Sequence, residues 1–147
     1  MAIRNIRKNG DEVLRKKCKP VKAITERTLK LIEDMADTMY EADGVGLAAP
    51  QVGILQRIFV VDVYDDYGLR VFINPEILEV SGSQIGEEGC LSVPEELEEV
   101  ERPNYVKVKA LNEKGEEFIL EGTELLARAI LHENDHLEGK LFIDYLK

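Results

Sequence analysis

The chain holds only two histidines in 147 residues, and they stand four apart in His132-Glu133-Asn134-Asp135-His136. Around them apolar residues recur at three- and four-residue steps. Leu125 and Ala129 run in line with His132 and His136, while Leu126, Ile130 and Leu137 run in line with Glu133. This periodicity predicts a helix from Thr123, a suitable N-cap with Glu124 favourable in the first turn, to Gly139 at the C′ position. Both imidazoles then share one face, one turn apart, a spacing that suits a single metal ion. Glu133 sits beside them, placed to take a proton from a water whose pKa the ion has lowered. The plainer alternative, histidines that only satisfy polar groups of a core, would bury two imidazoles and a carboxylate on an apolar stripe without a partner, which is costly.

A catalytic site of this type takes three protein ligands and leaves one position open. With both histidines used, the third ligand is a cysteine or a carboxylate. A third-histidine metalloprotease motif is excluded, since no histidine follows Gly139. Of the two cysteines, Cys18 lies in Lys16-Lys17-Cys18-Lys19-Pro20, a charged segment expected to be exposed, and is the weaker candidate. Cys90 lies in Glu88-Gly89-Cys90-Leu91-Ser92, where Gly89 allows close backbone approach and the residues do not read as an ordinary strand. Cys90 is either a thiolate ligand or a small buried hydrophobe. A third segment, Gly44-Val45-Gly46-Leu47-Ala48-Ala49-Pro50-Gln51, can close a tight turn or admit a substrate backbone. It is no phosphate loop, because no Lys-Ser/Thr pair follows and no strand leads into the glycines. Gln51 is either a surface amide or a donor aimed at a developing oxyanion.

The rest of the chain reads as an α+β single domain over residues 1–147. A mostly antiparallel sheet packs around the C-terminal ligand helix, with an N-terminal amphipathic helix beside it. That first helix starts after Thr25, carries Leu29, Ile32, Met35, Ala36, Met39 and Tyr40 at helical spacing, and stops at Gly44. Strands are expected over 57–63 and 69–73, joined by the turn Asp65-Asp66-Tyr67-Gly68, then over 77–80, 105–111 and 117–120, the last two joined at Asn112-Glu113-Lys114-Gly115. The acidic run Glu95-Glu96-Leu97-Glu98-Glu99 reads as a solvated face and not as a ligand set or calcium site.

Hydrophobic residues make up 44% of the chain, enough for a core and too many for a disordered segment. Two cysteines are too few for a disulfide-built fold. A net charge of −10 argues against gripping nucleic acid or anionic lipid by charge alone, although a local basic patch is compatible with it. No apolar run approaches the ~20 residues needed to span a bilayer, and no secretion signal is visible. A cytoplasmic location is therefore expected, with the cysteines as thiols or metal ligands and with neither DNA nor membrane as partner.

Together and in order, the glycine segment 44–51, the segment 88–92 and the helix motif 132–137 resemble the peptide deformylases. That family is marked by Gly-x-Gly-x-Ala-Ala-x-Gln, Glu-Gly-Cys-x-Ser and a His-Glu-x-x-His-Leu helix. Leu131 departs from the glutamine usual in the family. The resemblance implies one divalent metal ion held by Cys90, His132 and His136, with Glu133 transferring protons. It also implies removal of the formyl group from the N-terminal formyl-methionine of newly made proteins, with formate released. Water activated by the metal attacks the formyl carbon, and the oxyanion is stabilised by the metal, the Gln51 amide and the Leu91 backbone N–H. The peptide backbone is expected along Gly44, Val45, Gly46 and Gly89. The methionine side chain is expected against Val45, Leu125, Ala129 and His132, with Glu88 nearby. By the same resemblance the ion is Fe2+, with Zn2+, Ni2+ or Co2+ able to replace it, a choice that two nitrogens and a thiolate do not make by themselves. An Arg102–Asp135 ion pair is implied behind the ligands. Formyl-methionyl nascent peptides are the expected partners, with transient proximity to the ribosome but no docking through the long basic C-terminal extension of some members. Two rivals remain: a metallopeptidase with a carboxylate third ligand, and a closed structural metal module with four protein ligands.

Overall fold

Strand β2 (Ile58–Val61) is buried at all four positions. A strand with one wet face would alternate, and this one does not because a helix covers each side of its sheet. In the computed structural model, which describes residues 3–145 apart from the side chains of Glu95 and Tyr145, the helices are α1 (Glu26–Glu41) and α2 (Glu124–Leu137). Ile58 and Val60 join Leu31, Ile32, Met35 and Met39 of α1 in one apolar cluster. Phe59 and Val61 join Ala127, Ala129, Ile130 and Leu137 of α2 in another. Met1, Ala2, Leu146 and Lys147, at the two ends that the sequence reading takes in, lie outside the described residues.

The sheet has five antiparallel strands in the order β1 (Gly46–Ala48), β2, β3 (Arg70–Ser81), β6 (Tyr105–Leu111) and β7 (Glu117–Thr123). A separate two-stranded hairpin, β4 (Gln84–Cys90) with β5 (Val93–Arg102), is inserted between β3 and β6. The hairpin carries a small apolar cluster of Val93, Val100, Leu141 and Phe142, with Cys90 packed against it. No helix among the described residues is long and apolar enough to cross a membrane.

The expected α+β class, the two helices and the antiparallel middle are all present, and the local details explain where the expected boundaries shift. Strands expected over 69–73 and 77–80 are one strand, β3, because its ladder tolerates irregular register around Pro75 and Leu78. The residues before Cys90, read as unlike an ordinary strand, form β4, whose register breaks only between Gly89 and Cys90. At the end of α1 the left-handed residue is Asp43 (φ 59°), and Gly44 follows it. Thr123 holds the N-cap position of α2 without a side-chain capping bond. Gly139 does act at C′: it is left-handed (φ 77°), its N–H donates to the His136 carbonyl, and the Lys140 N–H donates to that of Asp135. Cys18, expected to be exposed, is half-buried against the α2 cluster, where burial pushes its thiol up to about 12.

Candidate active site

Helix α2 turns His132, Glu133 and His136 toward β1 and the hairpin, and all three are buried. Cys90 approaches them from the end of β4. The ligand atoms of Cys90, His132 and His136 lie within 4.8 Å of one another. Nε2 of His136 stands 3.3 Å from Nε2 of His132 and 3.4 Å from Sγ of Cys90. A tetrahedral ion with bonds of roughly 2.1 Å to nitrogen and 2.3 Å to sulfur holds such donors about 3.4–3.6 Å apart, close to both distances at His136, and all three atoms lie near enough to share one ion.

The electrostatics point the same way. Burial alone would lower the pKa of His132, but Glu133, Cys90 and Glu88 outweigh it and push the imidazole well above its ordinary value. The pocket thus calls for positive charge. His136 goes in the opposite direction, lowered by burial and by the neighbouring His132, so it stays neutral as a nitrogen ligand must.

Behind the donors sits Glu88, 5% exposed. Its carboxylate accepts from Arg102 Nη2 at 2.6 Å and Nε at 3.1 Å, from Arg128 Nη1 at 2.7 Å, and pairs with Nδ1 of His132 at 2.5 Å. Burial pushes its carboxyl up, yet His132 and Arg102 hold it down at about 2. With Nδ1 engaged, the His132 ring directs Nε2 at the shared ligand point. Glu88, expected beside the substrate, lines the cavity with its carboxylate paired to His132, Arg102 and Arg128. Arg102 also donates to Asp135 at 2.7 Å, tying the hairpin to the ligand helix.

Glu133 is fixed by packing. Its Oε1 has no hydrogen-bond partner among the described residues, and burial, opposed by the charge of His132, raises its pKa to about 7. Gly46 makes room for it: a Cβ there would stand 2.5 Å from Glu133 Oε2 and 2.9 Å from Cδ. Gln51 is 1% exposed, so it is no surface amide. Its Oε1 accepts from the Ala48 N–H at 2.9 Å, and its Nε2 donates to Ser92 Oγ at 3.0 Å while lying 3.7 Å from Cys90 Sγ.

These residues open on a cavity of about 660 Å³. Gly44, Val45, Gly46, Gly89, Leu91 and Ala129 line it, as does Leu125, which is 49% exposed instead of buried along its ridge. Leu131 packs against the apolar cluster under α2. Of the acidic run, Glu96 is half-buried and lines the cavity, while Glu98 and Glu99 are exposed and Glu95 has no described side chain. Arg128 does not emerge from the sequence, and Ser92 emerges only as part of the motif 88–92, without a role. The available signal for Arg128 was its place four residues before His132, on the same helix face.

An α+β fold whose helix carries His-Glu-x-x-His, with a cysteine thiol delivered by a neighbouring hairpin, defines a hydrolase of the metal-dependent class. Comparison with known proteins narrows the class. The family model "Polypeptide deformylase" matches residues 3–147, and the chain belongs to that family. A peptide deformylase of Clostridium botulinum (strain Alaska E43 / Type E3) is 69% identical over 144 residues, covering 98% of this chain and 97% of that protein. Peptide deformylase 1 of Clostridium acetobutylicum is 64% identical over 146 residues, covering 99% and 96%. The crystal structure of peptide deformylase from Thermotoga maritima superposes with a TM-score of 0.96 at 50% identity, covering 100% of this chain and 99% of that one. Enzymes of this family remove the N-formyl group from nascent peptides in a metal-dependent reaction, and the activity of this chain is of that kind.

Proposed function

We propose that the chain deformylates the N-terminal formyl-methionine of newly made proteins with Cys90, His132 and His136 as the ligands of one divalent ion. The convergence of these three donors, two of which, Cys90 and His132, line an open cavity, is the observation that carries this reading. When bound, the ion supplies Lewis acidity and lowers the pKa of a coordinated water. The choice of Fe2+, with Zn2+, Ni2+ or Co2+ as substitutes, rests on the family resemblance.

Glu133 takes the proton from the attacking water and delivers it to the departing nitrogen. Its unpartnered Oε1 and its pKa near 7 suit a group that gains and loses a proton within one turnover. Gln51 Nε2 serves the oxyanion together with the Leu91 N–H. Because the Gln51 Oε1 is anchored to Ala48, the amide needs little reorganisation when charge develops. Glu88 and Arg102 keep His132 in its ligating orientation. Val45, Leu125, Ala129 and His132 receive the methionine side chain, while Gly44, Val45, Gly46 and Gly89 run beside the peptide backbone. Backbone pairing reads no side chains, which suits an enzyme that acts on many sequences. The two free thiols support action in the reducing cytoplasm.

Release of the free N-terminal amine is measured on formyl-Met-Ala-Ser and on its acetyl and formyl-Gly counterparts. The reading expects turnover of the first, none of the acetyl peptide, and at least a tenfold lower kcat/KM for formyl-Gly. Equal cleavage of formyl and acetyl peptides would replace it by a general N-terminal deacylase, and cleavage of an internal peptide bond would replace it by a metallopeptidase.

A further inference from the structure

The net charge of −10 conceals a segregation. Residues 1–30 hold ten of the nineteen Lys and Arg but only three of the 29 acidic residues, so that segment is net +7 and the remaining 117 residues are net −17. The structure gathers part of this excess around a second cavity of about 730 Å³, lined by Arg4, Lys19, Lys22 and Arg27 with no Asp or Glu among its described lining residues. Arg4 pairs with Asp34, which Lys30 also reaches at 3.0 Å. Lys19, Lys22 and Arg27 are exposed and make no ion pair among the described residues, although the chain carries 29 carboxylates. Lys16 and Lys17, also exposed, lead into the same segment.

The wall of this cavity is built rather than loose. Lys19 bridges Gln56 in a short parallel pairing, and Asn74 holds Val21 by both its N–H, at 2.7 Å, and its carbonyl, at 2.9 Å. Leu31 and Ile54 supply an apolar floor. Thr25, Thr28 and Leu31 of this cavity belong to the start of α1, whereas Ala42, Asp43 and Gly44 of the catalytic cavity follow its end. Sixteen residues of helix separate them by about 24 Å. The acidic hairpin residues Glu87, Glu98, Glu99 and Glu101 are exposed, and Glu87 lines the catalytic cavity.

We propose that this cavity and its lysine flank bind the phosphate backbone of RNA. Five cations without an ion pair among the described residues, extending beyond one cavity, match a polyanion better than a single small anion, and their affinity for it is driven by counterion release. The choice of RNA rests on the deformylase reading, since nascent peptides leave a particle made largely of RNA. The acidic hairpin would repel the same polyanion, so binding presents the basic end and leaves the catalytic mouth free.

Binding of a fluorescein-labelled single-stranded 12-mer RNA is followed by anisotropy between 50 and 200 mM salt, with AMP and inorganic phosphate as competitors. The proposal expects log K to fall against log salt with a slope of about −3, since each of roughly four or five phosphate contacts contributes about −0.7. Lys19→Glu/Lys22→Glu/Arg27→Glu should weaken binding at least tenfold, while Lys107→Glu/Lys109→Glu/Lys114→Glu, with the same change in net charge, should weaken it less than threefold. Formate release from a free formyl-Met peptide should be unchanged in both variants. No binding at 50 mM salt, equal loss in the two variants, or displacement of the RNA by equimolar AMP or phosphate would overturn the proposal. Deformylation by the unaltered chain is read separately, so failure of RNA binding leaves the catalytic assignment standing, and absent formate release would remove the argument for RNA as the occupant.

Discussion

Gly46 shows how one missing side chain makes room for Glu133, the proposed proton carrier. A methyl at this position would overlap the Glu133 side chain from Oε2 to Cγ, and Glu133 is itself buried, so the overlap displaces it. Gly46→Ala should therefore lower kcat at least tenfold while leaving one metal ion per chain, measured by formate release and metal analysis on the same sample. Retention of full kcat would show that Glu133 tolerates displacement. Glu88 acts one step further from the chemistry. Its folded-state pKa of about 2, against an ordinary 4.5, means that the unfolded chain binds the extra proton first. The resulting stability is complete above about pH 4.5 and is lost as the pH falls through about 2, with a magnitude of roughly 3 kcal/mol. Urea unfolding at pH 6 and pH 3.5 should show Glu88→Gln with a flatter pH dependence than the unaltered chain. At this scale the sequence makes His132, Glu133 and His136 legible because helical periodicity aligns them. The pairing of Glu88 with Arg128 is not legible, because residues 40 apart in the chain carry no shared period.

The β4–β5 hairpin is held to the rest of the molecule by a small apolar cluster and by buried pairs from Arg102 to Asp135 and from Glu88 to Arg128 and His132. Arg102 is 4% exposed and touches both Glu88 on the hairpin and Asp135 on the ligand helix. Removing it leaves a buried carboxylate short of a partner, which costs on the order of 3–5 kcal/mol. Arg102→Ala should lower the thermal midpoint and weaken metal retention by about 10–100-fold, because the orientation of His132 depends on Glu88. Chelator competition measures the second effect, and unchanged retention would separate the hairpin anchor from the metal site. The hairpin is also the element the sequence conceals best. Its solvent side is so acidic that residues 95–99 read as a charged face, and Ile85 and Leu97, which would signal a strand, are 69% and 63% exposed. By contrast β6 and β7 announce themselves by alternation and by Asn112, whose Oδ1 accepts from the Lys114 and Glu116 N–H groups in the connecting turn.

Over the whole molecule, the sandwiching of β2 between α1 and α2 follows from an apolar run flanked by two amphipathic helices. The order of strands in the sheet does not follow from it. The pairing of β3 with β6 passes over the entire hairpin, and no local signal records a contact made across that distance. The metal donors belong to this scale too, since Cys90 reaches the helix only when hairpin and sheet are both in place. A bound ion that favours the folded state should raise the thermal midpoint, and stripping it with a chelator should lower it in proportion to the logarithm of free metal. The most direct test of the catalytic account is anaerobic purification followed by metal analysis and formate release from a formyl-Met peptide, for the unaltered chain beside Glu133→Ala and Cys90→Ala. The account predicts one ion per chain and turnover in the first. It predicts one ion but at least a hundredfold lower kcat in Glu133→Ala, and loss of both ion and activity in Cys90→Ala. Full activity in either variant, or a stoichiometric ion in the unaltered chain with no formate released, would contradict it.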